Sequence, residues 1–297
     1  MNYWKSLLGI IRAPFLILTP ACVLLGLGTA VWTSGQVNLI DFVLVLVGAI
    51  AAHISVNAFN EYFDFKSGLD SRTMRTPFSG GSGTLPQNPQ LQRWAWLTAS
   101  IAFAITALVG LYFLYIRGIA LLPLGILGLF LIFTYTPWWA KNPIACLIAP
   151  GLGFGPLMVL GTHFALSGQY SWTAFIASLV PFFLVSNLLL LNQFPDVEAD
   201  RTVGRKHFPI IIGRFASSLI YGAFLLLTYL TIILGVHWGF LPKISLLGLA
   251  TLLIAIPAFL GALRHAEDIP RLIPAMGQNV LINIATPLLV AIGLLVN

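Results

Sequence analysis

Uninterrupted apolar segments of roughly 20 residues recur along almost the whole chain, separated by short polar stretches. The pattern predicts nine helices, over 14–33, 39–64, 94–116, 119–136, 144–166, 172–194, 216–239, 244–263 and 278–296. The second is the longest and its last two turns are polar, so it leaves the hydrocarbon near Asn57. Met1 to Arg12 reads as a short amphipathic lead carrying Lys5 and Arg12. The apolar run behind it is of spanning length, so no cleavable signal peptide is expected. The expected fold is all-α: one polytopic domain over 1–297, with nine transmembrane helices around a central cavity capped by polar loops.

Composition agrees. Of the 297 residues 58% are hydrophobic and 8% charged, against about 25% charged in an average soluble domain. Charge then sets the orientation. Lys5, Arg12, Lys66, Arg72, Arg75, Arg93, Lys141, Arg201, Arg205, Lys206, Arg214, Arg264 and Arg271 fall on the amino-terminal side of the predicted spans, and only Arg117 and Lys243 fall opposite. The positive-inside rule places the amino terminus and the long loops in the cytoplasm, in an inner or cytoplasmic membrane. The net charge of +6 follows from these juxtamembrane residues and suits anionic headgroups, so no nucleic-acid partner is implied. Cys22 and Cys146 lie inside apolar helices without metal-ligand spacing and read as packing residues.

Two long polar loops, 65–93 and 195–215, lie on the basic side, and both open alike. An apolar helix ends in Asn, a carboxylate follows four residues on, another comes later, and basic residues close the motif. The first copy is Asn60, Asp64, Asp70, Arg72 and Arg75; the second is Asn192, Asp196, Asp200, Arg201, Arg205 and Lys206. The duplication suggests an internal repeat of helical hairpins around a shared centre.

Of the nine Asp and Glu residues, Glu61, Asp64, Asp70, Asp196, Glu198 and Asp200 belong to these two segments. Asn192, Asp196 and Asp200 recur every four residues and share one helix face, with Glu198 turned away. Asn57, Asn60, Glu61 and Asp64 form the corresponding stripe. On a continuous helix Asp70 would be rotated by about 240° from Asp64, so Gly68 is expected to break the helix and let Asp70 swing back. Carboxylates gathered this closely need a cation between them. Hard oxygen ligands beside a phosphate describe Mg²⁺. Arg72, Arg75, Lys141, Arg201, Arg205 and Lys206 can bind the remaining oxygens of a diphosphate. The stretch TPFSGGSG, 76–83, can offer backbone N–H groups to phosphate or act as a lid.

A plainer account covers much of the remaining charge. Arg93, Arg264, Arg271 and Glu267 read as solvated, orientation-setting caps, and Glu198 as a solvent-facing or salt-bridged residue. His53 and His163 read as hydrogen-bonded interior histidines. That account does not predict acids clustered on the positive side, duplicated with Asn four residues earlier.

NEYFDFKSGLD at 60–70 and NQFPDVEADRTVGRK at 192–206 resemble the two aspartate-rich motifs of the UbiA family of intramembrane aromatic prenyltransferases. YTPWWAKNP at 135–143 and GPLMVLGTHFALSG at 155–168 are similar to segments between them, the latter nearest the menaquinone-type branch. Glu61 stands where many members have Asp, with a longer arm toward metal or water. Asp70 lies ten residues after Asn60, a spacing shared with the naphthoate-prenylating branch, and the acid that often follows the YTxxP segment is absent. The resemblance implies Mg²⁺ held by Asp64, Asp70, Asp196 and Asp200, with Asn60 and Asn192 as orienting amides. It further implies transfer of a polyprenyl group from an allylic diphosphate to an aromatic acceptor, best matched by 1,4-dihydroxy-2-naphthoate on the way to menaquinone, with Tyr135 as a wall or acceptor contact. Another acceptor such as 4-hydroxybenzoate stays open. A secondary transporter would carry its acids near the midplane, and a CDP-alcohol phosphotransferase would need one compact run of aspartates.

Overall fold

The computed structural model describes residues 3–296. In chain order its helices are α1 (Tyr3–Ile10), α2 (Leu18–Ser34), α3 (Leu39–Ser67), α4 (Thr84–Gln87), α5 (Gln92–Arg117), α6 (Leu122–Thr134) and α7 (Pro143–Leu152). They continue with α8 (Gly161–Ser167), α9 (Trp172–Thr202), α10 (Phe208–Ile211), α11 (Gly213–His237), α12 (Leu252–Arg264) and α13 (Ile269–Val296). Among the described residues eight segments are long and apolar enough to cross a bilayer.

The ninth expected span, 119–136, is shorter. It consists of one 3-10 turn, Ile119–Leu121, and the 13 residues of α6. The boundaries differ most where polar residues continue a helix. α3 runs past 64 to Ser67, and α9 runs past 194 to Thr202, so much of the expected loop 195–215 is helical. Hydropathy ends a span at the first charge, whereas backbone hydrogen bonding continues for as long as the side chains find partners. α13 likewise starts at Ile269 rather than 278.

Local chemistry explains the ends. Asn38 caps α3 by accepting from Ile40 N at 2.8 Å and Asp41 N at 3.2 Å. Gly68 terminates it with φ 77°. Ser171 caps α9 and Asn142 caps α7, where Pro143 supplies the first helical residue.

α7 continues through a π-helical segment, Gly153–Leu160, into α8, and this bent rod lies against α9. The approach is backbone to backbone. A Cβ on Gly155 would stand 2.5 Å from Ser178 O and 2.8 Å from Phe182 Cβ, the small-residue spacing that lets membrane helices meet closely. Replacing Gly155 with Val should therefore cost about 1–3 kcal/mol of stability. Thermal unfolding in detergent checks this, with Gly161→Ala, at a helical position where an added Cβ meets nothing within 4 Å, expected to hold or slightly raise the midpoint.

One apolar core joins α2, α7, α9, α11, α12 and α13; two smaller ones lie among α1, α2, α3, α5 and α8. The cavity between them is walled by α1–α3, α5–α9 and the loops after α3 and α9, while α11–α13 buttress α9 and α2 from behind. At the end of the molecule away from the acidic tips, Arg117 bonds Asp41 Oδ2 at 2.8 Å and the carbonyls of Ala165 and Leu166, tying α5, α3 and α8.

Candidate active site

The mouth of the cavity is built where the polar ends of α3 and α9 meet. Arg205, in the loop after α9, bonds Asp200 Oδ1 at 3.0 Å and also Asp64 Oδ1 on α3. One guanidinium thus bridges the two acidic segments. Gly204, at φ 75°, turns the chain back so that Arg205 N reaches Asp200 O at 3.2 Å. The other Asp200 oxygen bonds Nε2 of the buried His207 at 2.9 Å. Burial opposes the charge of Arg205, and Asp64 and Asp200 outweigh it, holding its pKa above the usual arginine value.

The other acids keep free oxygens. Gly68 breaks α3, a 3-10 turn over Leu69–Ser71 follows, and Asp70 comes back against the mouth, buried. Asp70 Oδ2, Asp196 Oδ1 and Asn192 Oδ1 are buried without a hydrogen-bond partner. Burial, with repulsion from Glu61 and Asp64, pushes Asp70 up to about 7. Uncompensated oxygens of this kind are costly unless a cation or donor reaches them. Among the described residues no three His, Cys, Asp or Glu side chains share a single point closely enough to hold an ion alone. That suits Mg²⁺, which keeps waters and takes one or two carboxylates plus substrate phosphate. The donor set fits such an ion.

Glu61 has a different part. It accepts from Arg12 Nε at 2.8 Å, Ser82 N at 2.9 Å and Ser82 Oγ at 2.7 Å, which engages both of its oxygens. It pins the glycine-rich loop and α1's outgoing chain to α3 rather than facing the cavity. Arg12 is the one non-glycine residue with positive φ among those described, at 50°, a conformation retained where surroundings over-determine it.

Below the mouth extends a cavity of about 830 Å³, lined mainly by apolar side chains of α2, α3, α5, α6, α7 and α9. Its wall on α3 runs from Asp64 to Val45, about 28 Å along the helix, nearly the thickness of a hydrocarbon core.

The family model for the UbiA prenyltransferase family matches residues 19–276. This chain belongs to the UbiA prenyltransferase family. It is 24% identical over 204 residues to 1,4-dihydroxy-2-naphthoate octaprenyltransferase of Bacillus subtilis (strain 168), an alignment covering 67% of this chain and 63% of the relative's length. A UbiA homolog from Aeropyrum pernix K1 in its apo form shares the fold with a TM-score of 0.72 at 20% identity, over 96% of this chain and 98% of the other. A UbiA homolog from Archaeoglobus fulgidus bound to DMAPP and Mg²⁺ does so with a TM-score of 0.62 at 16% identity, over 96% and 99%.

Within this UbiA fold Asn60, Asp64, Asp70, Asn192, Asp196, Asp200 and Arg205 all line the one cavity. Asn60 donates to Thr136 Oγ1 at 3.1 Å. The other cations named from sequence lie elsewhere: Arg72, Arg75, Lys141, Arg201 and Lys206 are exposed and outside the lining. Arg75 packs against Gly83 and donates to Asp70 O, and Arg201 pairs with the exposed Glu198. The backbone of Lys206 bonds Ala140 O. His53 and His163 are interior and bonded to Thr19 and Thr29.

Arg12 and His207 also line the cavity, although neither belongs to the duplicated motifs. For Arg12 the sequence marks only a basic residue at the membrane face that also carries Glu61, and not their pairing across 49 positions. For His207, in the loop beyond Lys206, nothing in the spacing announced its partner.

Proposed function

We propose that this protein transfers a polyprenyl group from an allylic diphosphate to an aromatic acceptor, with Mg²⁺, and that the acceptor is 1,4-dihydroxy-2-naphthoate. The observation that carries the reading is the placement of free carboxylate and amide oxygens, from the turn after α3 and from α9, at the mouth of a long apolar cavity. Asp64, Asp70, Asp196 and Asp200 would hold the ion, with Asn60 and Asn192 orienting. Mg²⁺, when bound, neutralises the diphosphate and its developing charge as a Lewis acid.

The chain's own residues do the rest. Arg12 and Arg205 face the diphosphate oxygens, and the apolar wall takes the tail and keeps water from the allylic cation. The carbon–oxygen bond breaks with its electron pair leaving on the diphosphate; a ring carbon of the acceptor bonds to the allylic carbon and the ring loses its proton. Substrate tail and product are lipid-soluble, which accounts for a chamber inside a membrane protein. The bias of basic residues toward the mouth supports a mouth facing the cytoplasm, with the amino terminus on that side. The naphthoate acceptor draws support from the Bacillus relative.

Incubating the purified protein with prenyl diphosphates of graded length and a panel of dihydroxynaphthoate and hydroxybenzoate acceptors, followed by mass spectrometry, tests the proposal. A prenylated naphthoate is expected; absence of any prenylated product overturns the reading.

Ion binding should also depend on pH. Asp70 titrates at about 7, and Mg²⁺ takes the carboxylate, so below that pH each unit of acid should weaken apparent affinity about tenfold. Calorimetric Mg²⁺ titration at pH 6 and pH 8 in two buffers of different ionisation heat reads the affinity and the proton released.

A further inference from the structure

One helical turn beneath the acids lies a layer of polar side chains. Asn60 precedes Asp64 by four residues and Asn192 precedes Asp196 by four, so each sits about 6 Å deeper along its helix. Asn60 holds Thr136, the neighbour of Tyr135, at this level, and Gln193 holds Cys146 there. Farther in, the lining is apolar except for Asn57, His53, Thr106 and Thr162, and Asn57, His53 and Thr106 are hydrogen-bonded within the protein.

Gln193 shares this layer with Asn192, whose Oδ1 is also unpartnered; Asn192 stands on the helix face of the ion-binding acids, and Gln193 is one position round the helix from it. Gln193 Nε2 donates to Cys146 Sγ at 3.2 Å. The other end, Oε1, takes no hydrogen bond among the described residues, and Gln193 lines the cavity. An amide oxygen in a cavity of low polarity calls for a donor. Neither the hydrocarbon tail nor an ionised diphosphate has one to give. Of the proposed reactants only the aromatic acceptor, through a ring hydroxyl, can donate.

We infer that Gln193 Oε1 receives a hydroxyl of the acceptor, making Gln193 a specificity-determining residue that selects hydroxylated arenes over their O-alkyl ethers. The inference rests on the transferase reading and deepens it. The depth is right: one turn below the ion-binding acids is where the first carbon of a bound allylic diphosphate would lie, so the hydroxylated ring is placed beside its target. Accepting the O–H bond leaves the ring oxygen more electron-rich and the ring a better nucleophile.

The test uses the full-length protein with Gln193→Met, and Gln193→Leu as a second variant, folding being verified by melting curves. Each is assayed with a phenolic acceptor and with its methyl ether. In the variants KM for the phenolic acceptor should rise about tenfold or more, the size of one lost buried hydrogen bond. KM for the prenyl diphosphate should stay within about twofold, the sign that only acceptor binding was touched. The wild-type preference for phenol over ether should shrink by the same factor as the acceptor KM rises. An unchanged acceptor KM in a folded variant, an equal rise in both KM values, or wild-type protein that uses phenol and ether equally well overturns the inference. If the wild-type protein prenylates no acceptor, the transferase reading itself fails; if it does so and Gln193→Met behaves like it, only the role of Gln193 is lost.

Discussion

Asp196→Asn should lower prenyl transfer by about a thousandfold or more while the protein stays folded. Asp196 Oδ1 is unpartnered and buried at the mouth, on the face of α9 that also carries Asn192 and Asp200. Asn keeps the volume and removes the charge. An amide has one oxygen and no negative charge with which to hold a divalent ion, so the electrostatic stabilisation of the departing diphosphate falls away. Folding should respond in the other direction, because an uncompensated buried carboxylate is a burden that the neutral amide lifts. Transfer of radiolabelled prenyl groups and a melting curve measured on the same preparation check both halves. Transfer near the wild-type rate would remove Asp196 from the ion site; a collapse of the melting curve would make its role structural.

The second large effect is expected from Arg205→Met. In the native protein this guanidinium joins Asp64 and Asp200, whose side chains are 8% and 2% exposed. Removing it leaves two buried carboxylates facing one another without the guanidinium that joins them, and breaking such a pair costs about 3–5 kcal/mol. Transfer should fall with it, since the same side chain lines the mouth proposed to take the diphosphate. Added Mg²⁺ should then raise the melting temperature of the variant more than that of the wild-type protein, because the ion supplies a cation between the same acids. Differential scanning fluorimetry with and without the ion reads this directly. Equal shifts in both proteins would separate Arg205 from the ion site.

How much of this site could be read from the chain alone differs from residue to residue. Asn192, Asp196 and Asp200 were legible as one face because the period of an α-helix is fixed, and Glu198 is accordingly turned out to Arg201. The return of Asp70 was legible because Gly68 is the residue that ends a helix with a positive φ. What stayed hidden lay in pairings between distant positions. Glu61 looked like an extra ligand, yet Arg12 and Ser82 use up its oxygens, and no local rule says that a residue 49 positions earlier will arrive there. Lys141 and Arg201 looked like diphosphate ligands because any cation near an acidic motif does; only the packing turns them outward. The length of α3 and α9 was underread for a related reason: hydropathy measures the cost of a side chain in lipid, and these last turns lie at a protein-lined mouth.

The short α6 has a consequence for the surrounding lipid. Its 13 residues with the preceding 3-10 turn cover about 25 Å, less than the roughly 30 Å of an average hydrocarbon layer. Acyl chains beside this wall must compress or splay to meet it, so the leaflets dimple where α6 borders the chamber. A greasy molecule entering or leaving there crosses a pre-thinned patch, and vesicles of shorter-chain phospholipid should suit the protein better than long-chain ones.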